Sequence, residues 1–399
     1  MTVRVNKPAF NIREKLSEVE RPIGVKGNEL MRAETAQDAR DLVSAGRKNM
    51  IINGDMRIDQ RYNGSARDIA GGTNEYVVDR FIFRDSISTS LRVQRSALSA
   101  STDPPGFRYA VKMSCLGNDV SISNTEYLRI QQYIETNNLK CDWGIQNTDY
   151  LTLSFWVKSS VPGKYHVNLE DGDASPLYLK PYYIDQADTW QKVELTYPAP
   201  PSGSWTTSTD NGIGMRITWS LVIGSNYVSS SEEGWTTSYY MAGPGQVNFA
   251  AATGNAFWLT GVQLERGRNA TEFEHRSYGE ELALCQRYFY INGGEEHDII
   301  SQAFSPHTTE IAIAWPHPTE MRAVPTVTIS STNNNNTDFY FRTINNTGFA
   351  LTGNGRNLSQ MTKHHASIWF NGMSGVPAVP GQVRVQNDRT AFIHLDAEL

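Results

Sequence analysis

Paired carboxylates are the first residues of this 399-residue chain that could do chemistry: Asp171 and Asp173 flank a glycine, and Glu232 adjoins Glu233. Glycan cleavage needs two carboxyl groups held roughly 5–9.5 Å apart, one to protonate the leaving oxygen and one to attack or to activate water. Turn chemistry accounts for Asp-Gly-Asp, and solvation accounts for the glutamates. No Gly-x-Ser-x-Gly elbow occurs, and no solenoid repeat of the kind long depolymerases use. No catalytic residue is assigned, and the chain is expected not to be an enzyme. Among the eight histidines, His364 and His365 are adjacent, so on a strand they point to opposite faces. His275, His307 and His317 lack partners at ligand spacing. Cys115, Cys141 and Cys285 lie far apart with no C-x-x-C, which encodes neither a zinc site nor a disulfide framework. No metal and no cofactor is expected.

Aromatic residues in turn-rich stretches are better candidates for recognition, because sugars lay their C–H faces on rings while polar groups fix the hydroxyls. Trp205 in Ser-Gly-Ser-Trp-Thr-Thr-Ser, and Trp235 with Tyr239 and Tyr240 in Glu-Glu-Gly-Trp-Thr-Thr-Ser-Tyr-Tyr, are the carbohydrate-binding candidates. The competing role for both tryptophans is anchoring of their loops or burial against a neighbouring protomer. Trp156, Trp190, Trp219 and Trp258 fall in strand patterns and are expected to fill the core.

Four segments must position these residues. Residues 1–48 read as a helical arm. Asn11-Ile-Arg-Glu14 is a capping box, and Ile12, Leu16 and Val19 recur at helical spacing. Arg21-Pro22 ends that helix, and a second is expected from Thr35 to Gly46. Two such short helices bury little surface alone, so they should dock on another copy or on a larger assembly. Residues 49–276 read as strand after strand, with Tyr150–Lys158, Lys164–Leu169, Thr189–Tyr197 and a bulged Gly212–Ile223 the clearest. Asn49-Met-Ile-Ile-Asn-Gly-Asp-Met56 reads as a first strand entering an Asn-Gly turn, and Trp258 to Gly267 as the last strand. Helical periodicity returns at 277–290, opened by the capping box Ser277-Tyr-Gly-Glu280. Residues 291–399 read as a smaller β domain. The fold expected is mainly β: an antiparallel jelly-roll β-sandwich, a linker helix and a C-terminal β domain.

Three stretches resemble a known family. Leu259 to Tyr288 (LTGVQLERGRNATEFEHRSYGEELALCQRY) is similar to a segment of phage tail-fibre and related virion appendage proteins. Phe10 to Met56 resembles the start of appendage proteins from short-tailed (podovirus-type) phages of marine bacteria, and Leu151 to Ser160 with Asp188 to Pro200 resembles the sandwich of many tail fibres. The resemblance implies that the N-terminal segment, with Phe10, Ile12, Leu16 and Val19, attaches to tail or capsid proteins. It also implies that the β domains face outward and that the assembly is a homotrimer. The sandwich is similar to jelly-roll carbohydrate-binding modules, which often hold a structural calcium near the first and last strands. Asp55 and Glu265 sit at those ends, but calcium takes 6–8 oxygens, and two side chains do not supply them.

The expected function is that of a structural virion protein, a tail fibre or its adaptor, contacting host surface glycan. Its expected place is the virion exterior, after synthesis in the host cytoplasm. A capsid or collar decorating fibre, or a stand-alone carbohydrate-binding module, is the alternative. A net charge of −6 gives no electrostatic footprint for nucleic acid, and no apolar run approaches the ~20 residues that span a bilayer.

Overall fold

The structure, a computed structural model, describes residues 48–399 apart from 100–102, 105, 140–149, 202–204, 206–210, 295–296, 331–338, 352–354, 360, 372–373 and 386–391. Of the arm expected at 1–48, residues 1–47, with Phe10, Ile12, Leu16 and Val19, lie outside the described residues, as does Cys141.

The first strands are β1 (Arg67–Ile69), β2 (Asn74–Val78), β3 (Phe81–Asp85), β4 (Leu91–Ala97), β5 (Tyr109–Cys115), β6 (Tyr127–Glu135) and β7 (Tyr150–Ser159). They are followed by β8 (Gly163–Asp171), β9 (Leu177–Leu179), β10 (Pro181–Ile184), β11 (Gln191–Pro198), β12 (Ile213–Ile223), β13 (Gly234–Thr236) and β14 (Ala256–Arg266). They form two antiparallel sheets. A six-stranded sheet runs β1-β4-β5-β14-β7-β11, and an eight-stranded sheet runs β13-β9-β8-β12-β6-β3-β2 with β10 paired to β8. This is the antiparallel sandwich that the alternation predicts. On β7, Leu151, Leu153, Phe155 and Val157 are fully buried, and Phe155 meets Trp219 of the facing sheet edge-on at 5.8 Å between centroids. Edge-to-face rings at such spacing add to the burial of their apolar area. Where the sequence predicts a single bulge in β12, there are two register shifts, between Ile213 and Met215 and between Ser220 and Val222.

The segment Asn49–Met56 is not a strand. It runs irregularly along β14, with Asn49 Nδ2 donating to the Val262 carbonyl, Leu264 N donating to Asn49 Oδ1 and Met50 N donating to the Leu264 carbonyl. Two turn residues with positive φ, Asn53 and Met56, prevent regular pairing. Gly54 is needed there, since a Cβ would lie 2.1 Å from the Val262 oxygen.

The helix α1 (Tyr278–Gln286) starts as its capping box predicts, with Ser277 Oγ accepting from Glu280 N at 3.2 Å. It is shorter than the expected 277–290. Tyr288 N turns back to the Cys285 carbonyl, and the aromatic and β-branched run after it becomes β15 (Phe289–Gly293). Further strands are β16 (Ile299–His307), β17 (Glu310–Pro316), β18 (Thr326–Ser330), β19 (Phe339–Thr343) and β20 (Gly348–Ala350). The last are β21 (Gly355–Ser359), β22 (His365–Asn371), β23 (Pro380–Val385) and β24 (Phe392–Asp396). They make a three-stranded sheet, β15-β24-β18, and a seven-stranded sheet, β20-β19-β23-β16-β17-β22-β21. Their own apolar core contains Trp315, Phe339, Phe341, Ile368 and Leu395. A small cluster of Ile52, Ile58, Cys285 and Tyr288 joins α1 to the sandwich.

Candidate functional site

Cross-strand pairing puts the side chains most suited to recognition on the solvent face of the six-stranded sheet. Because β7 turns its leucines, Phe155 and Val157 inward, Trp156 and Lys158 share the outer face. On β14 Phe257 and Leu259 point inward and Trp258 outward. Trp258 is paired in register with Lys112 of β5 on one side and Lys158 of β7 on the other. The two ammonium groups sit 5.1 Å and 4.4 Å from its ring centroid, a cation–π geometry. Lys158 also faces Trp190 at 5.1 Å, and Trp190 Nε1 donates to Asp103 Oδ1 at 2.6 Å. Trp156 lies one row along, opposite Thr260 and Lys192. Its edge is seated by Gly261, which sits at φ +62 in the β14 bulge, where a Cβ would meet Phe107 at 2.7 Å and Trp156 at 3.0 Å.

Trp156, Trp190 and Trp258 are thus partly exposed, which corrects their expected place in the core; only Trp219 of that set is fully buried. Sequence reasoning missed the three, although a signal existed. Lys158 is two residues from Trp156, so on a strand both share one face, and a lysine face is a solvent face.

The expected loop candidates divide. Trp205 is 5% exposed, and its Nε1 donates to the Gly214 carbonyl at 3.2 Å, so no ring face is open to a sugar. Trp235 on β13 packs edge-on to Tyr178 at 5.2 Å and to Trp205 at 6.1 Å, half-buried against the sandwich core. This packing matches the anchoring alternative: β13 pairs with β9, and Trp235, partly exposed, lies beside Tyr178 and the buried Trp205. Tyr239 and Tyr240 remain partly exposed. Tyr239 lies on the outer side of the eight-stranded sheet, hydrogen-bonded to Arg129 and edge-on to Tyr227 at 6.2 Å. The Arg129 guanidinium faces Tyr127 at 4.6 Å.

Beneath these tyrosines lies a buried polar layer. Burial raises the Glu170 pKa while Arg129, Thr218 and Arg216 oppose the rise. His166 accepts from Gly243 N at 3.0 Å and pairs with Gln246 at 2.6 Å, and burial lowers its pKa.

Three of the four paired carboxylates have close partners on the scaffold. Asp171 Oδ1 accepts from Asp173 N within a turn, Glu232 pairs with Lys164 at 2.6 Å, and Glu233 with Lys180 and the Tyr178 hydroxyl. Asp55 pairs with Arg57, and Glu265 accepts from Gln263 and Thr271. Among the described residues no group of three or more metal-ligating side chains converges.

No protein-family model matches the chain, and no curated protein sequence matches it. Solved structures with similar folds include the enzymatically active domain of tailspike protein 4 of bacteriophage CBA120 (11% identity, TM-score 0.28, over 55% of this chain and 21% of that one). The match thus spans about a fifth of the tailspike chain. They also include TmCBM61 in complex with β-1,4-galactotriose (11% identity, TM-score 0.26, 56% and 100%). A third is the family 11 carbohydrate-binding module from Clostridium thermocellum in complex with a mixed-linked tetrasaccharide (10% identity, TM-score 0.26, 50% and 95%).

Proposed function

We propose that this chain is a non-enzymatic, glycan-binding appendage protein of a phage virion, a short tail fibre or its adaptor. The observation that carries the binding role is the row Lys112–Trp258–Lys158 with Trp156 and Trp190 around it, on the solvent face of a rigid sheet. Large rings on the water side of a sheet cost hydration that burial would have relieved. They are suited to the C–H faces of sugar rings, and the flanking lysines to carboxylate or sulfate substituents. Residues 1–48 would attach the protein to the particle, and three copies would associate around that arm. The phage assignment rests on the sequence resemblance. No catalytic role is proposed: Asp171 accepts from a turn amide, and Glu232 and Glu233 pair with lysines and a tyrosine.

The experiment is binding of labelled full-length protein to intact bacteria and to an array of acidic and neutral polysaccharides, beside Trp258→Ala and a chain lacking residues 1–48. The expected outcome is glycan and cell binding by both long and short chains, lost in Trp258→Ala, with only the full chain binding fibreless particles. Unchanged binding by a folded Trp258→Ala protein would remove the sheet face as the site.

A further inference from the structure

We infer that a second ligand site, for a neutral pyranose sugar, lies in the slot between the sandwich and the three-stranded sheet. The slot encloses about 290 Å³. One side is a run of rings: Phe392 stacks on His394 at 5.7 Å with 23° between planes, and Phe289 lies 5.2 Å from His394. The other side comes from the sandwich, with Tyr62 and Tyr76. At its base the Arg61 guanidinium rests on Phe289, 3.6 Å from the centroid, and faces Tyr76 at 5.2 Å.

The polar equipment selects the ligand. Arg61 is drawn to Glu398 at 3.3 Å and Asp396 at 3.5 Å, which neutralises it toward an incoming anion. Glu75 accepts from Tyr62 and Arg67 through one oxygen. Asp396 accepts from Glu398 N through Oδ1, with its side chain 40% exposed. Burial lowers the pKa of His394, Asp396 opposing this and Arg61 adding to it, which favours the neutral ring. The lining therefore carries Arg61 with Glu75 and Asp396; Glu75 is paired with Arg67, and Asn74, accepting from Arg84, is exposed at the mouth. Acceptor carboxylates, an amide and flat rings suit sugar hydroxyls over a C–H face, and the pairing of Arg61 and Arg67 with carboxylates favours a neutral sugar over a charged one. This site differs from the tryptophan face in location and in charge.

The test is NMR of the imidazole protons of His394 in the full chain, titrated with galactose, with glucosamine and with N-acetylneuraminic acid as separate probes. Galactose is expected to shift the His394 signals saturably, and the acidic sugar to bind at least tenfold more weakly. Phe392→Leu, which removes the ring face, and Asn74→Ala, at the exposed mouth, should each weaken galactose at least tenfold. If Phe392→Leu fails to fold, Asn74→Ala decides. Trp258→Ala should leave the His394 shift unchanged, so failure of the tryptophan face and failure of the slot are read separately. Absence of any His394 shift, equal affinity in Asn74→Ala, or preference for the acidic or the amino sugar would overturn the inference.

Discussion

Trp258 and Trp235 are the same residue type in one sandwich, yet their surroundings dictate opposite consequences of removal. Trp258 loses two exposed cation–π contacts, each about 0.5–1 kcal/mol, so Trp258→Ala should cost roughly 1–2 kcal/mol of stability while weakening glycan binding at least tenfold. Trp235 packs on Tyr178 and Trp205, and its loss leaves a cavity, so Trp235→Ala should cost about 3 kcal/mol and lower the melting temperature. Thermal melts beside glycan titrations separate the two; a binding loss confined to Trp235→Ala would reverse the assignment. His166 carries a second residue-level prediction. Its pKa is lowered first by burial, with Lys164 adding and Gln246 and Glu232 opposing. The unfolded chain, titrating near ~6.5, therefore binds this proton more readily. The stability linked to His166 is present above ~6.5 and is lost as pH falls toward the lower folded value. In urea titrations His166→Gln should fall less between pH 7 and pH 5 than the parent; parallel curves would refute it.

At the scale of elements, one side chain bridges α1 and the Asn49–Met56 segment, beside the direct bond from Asn53 N to Glu281 and the small apolar cluster. Arg276, 7% exposed, donates to the carbonyls of Asn49 and Ile51 and pairs with Glu274 and Glu281. Arg276→Ala leaves Glu281, itself buried, without this partner and opens two carbonyls, so a loss of about 3–5 kcal/mol is expected in chemical denaturation. Ser277→Ala, which removes only the helix cap, should cost about 1 kcal/mol. Similar values for the two would mean that the arginine is not the fastening. Strict alternation made the strands legible, β7 to within one residue of its expected end. The same alternation defines two faces without naming the inner one, and aromatic content pointed the wrong way for Trp156 and Trp258. The Asn49–Met56 segment was legible in place but not in kind, because its apolar run matches a strand while its bonds go to the side chain and carbonyls of a bulged neighbour. The helix was overextended because Tyr288 continues the apolar spacing of α1 while its backbone has already turned toward β15. The slot beside His394 was not legible at all, since its walls combine residues 61–76 with residues 289–291 and 392–396.

Across the whole molecule, residues 396–399 return to the sandwich and hold the two apolar cores in one frame. Arg80, 1% exposed, pairs with Glu398 and lies 3.5 Å from the Tyr288 ring centroid. Tyr76 donates to the Leu399 carbonyl at 3.0 Å. Arg322 donates to the carbonyls of Ala397, Glu398 and Asn211, and Arg287 forms paired bonds to Glu135. These contacts place several buried charges at the junction, each enclosed with its partner. Replacing Glu398 with alanine leaves the Arg80 guanidinium enclosed without its counter-charge, a loss expected to reach about 3–5 kcal/mol. The cost falls on the joint and spares both cores. The parent is therefore expected to unfold in one calorimetric transition and Glu398→Ala in two, the lower belonging to residues 289–399. Double replacement of Arg80 and Glu398 by methionine and glutamine should recover much of the loss, because the enclosed charge is then gone. A single transition in Glu398→Ala, shifted little from the parent, would show that the small cluster of Ile52, Ile58, Cys285 and Tyr288 holds the joint without the ion pair.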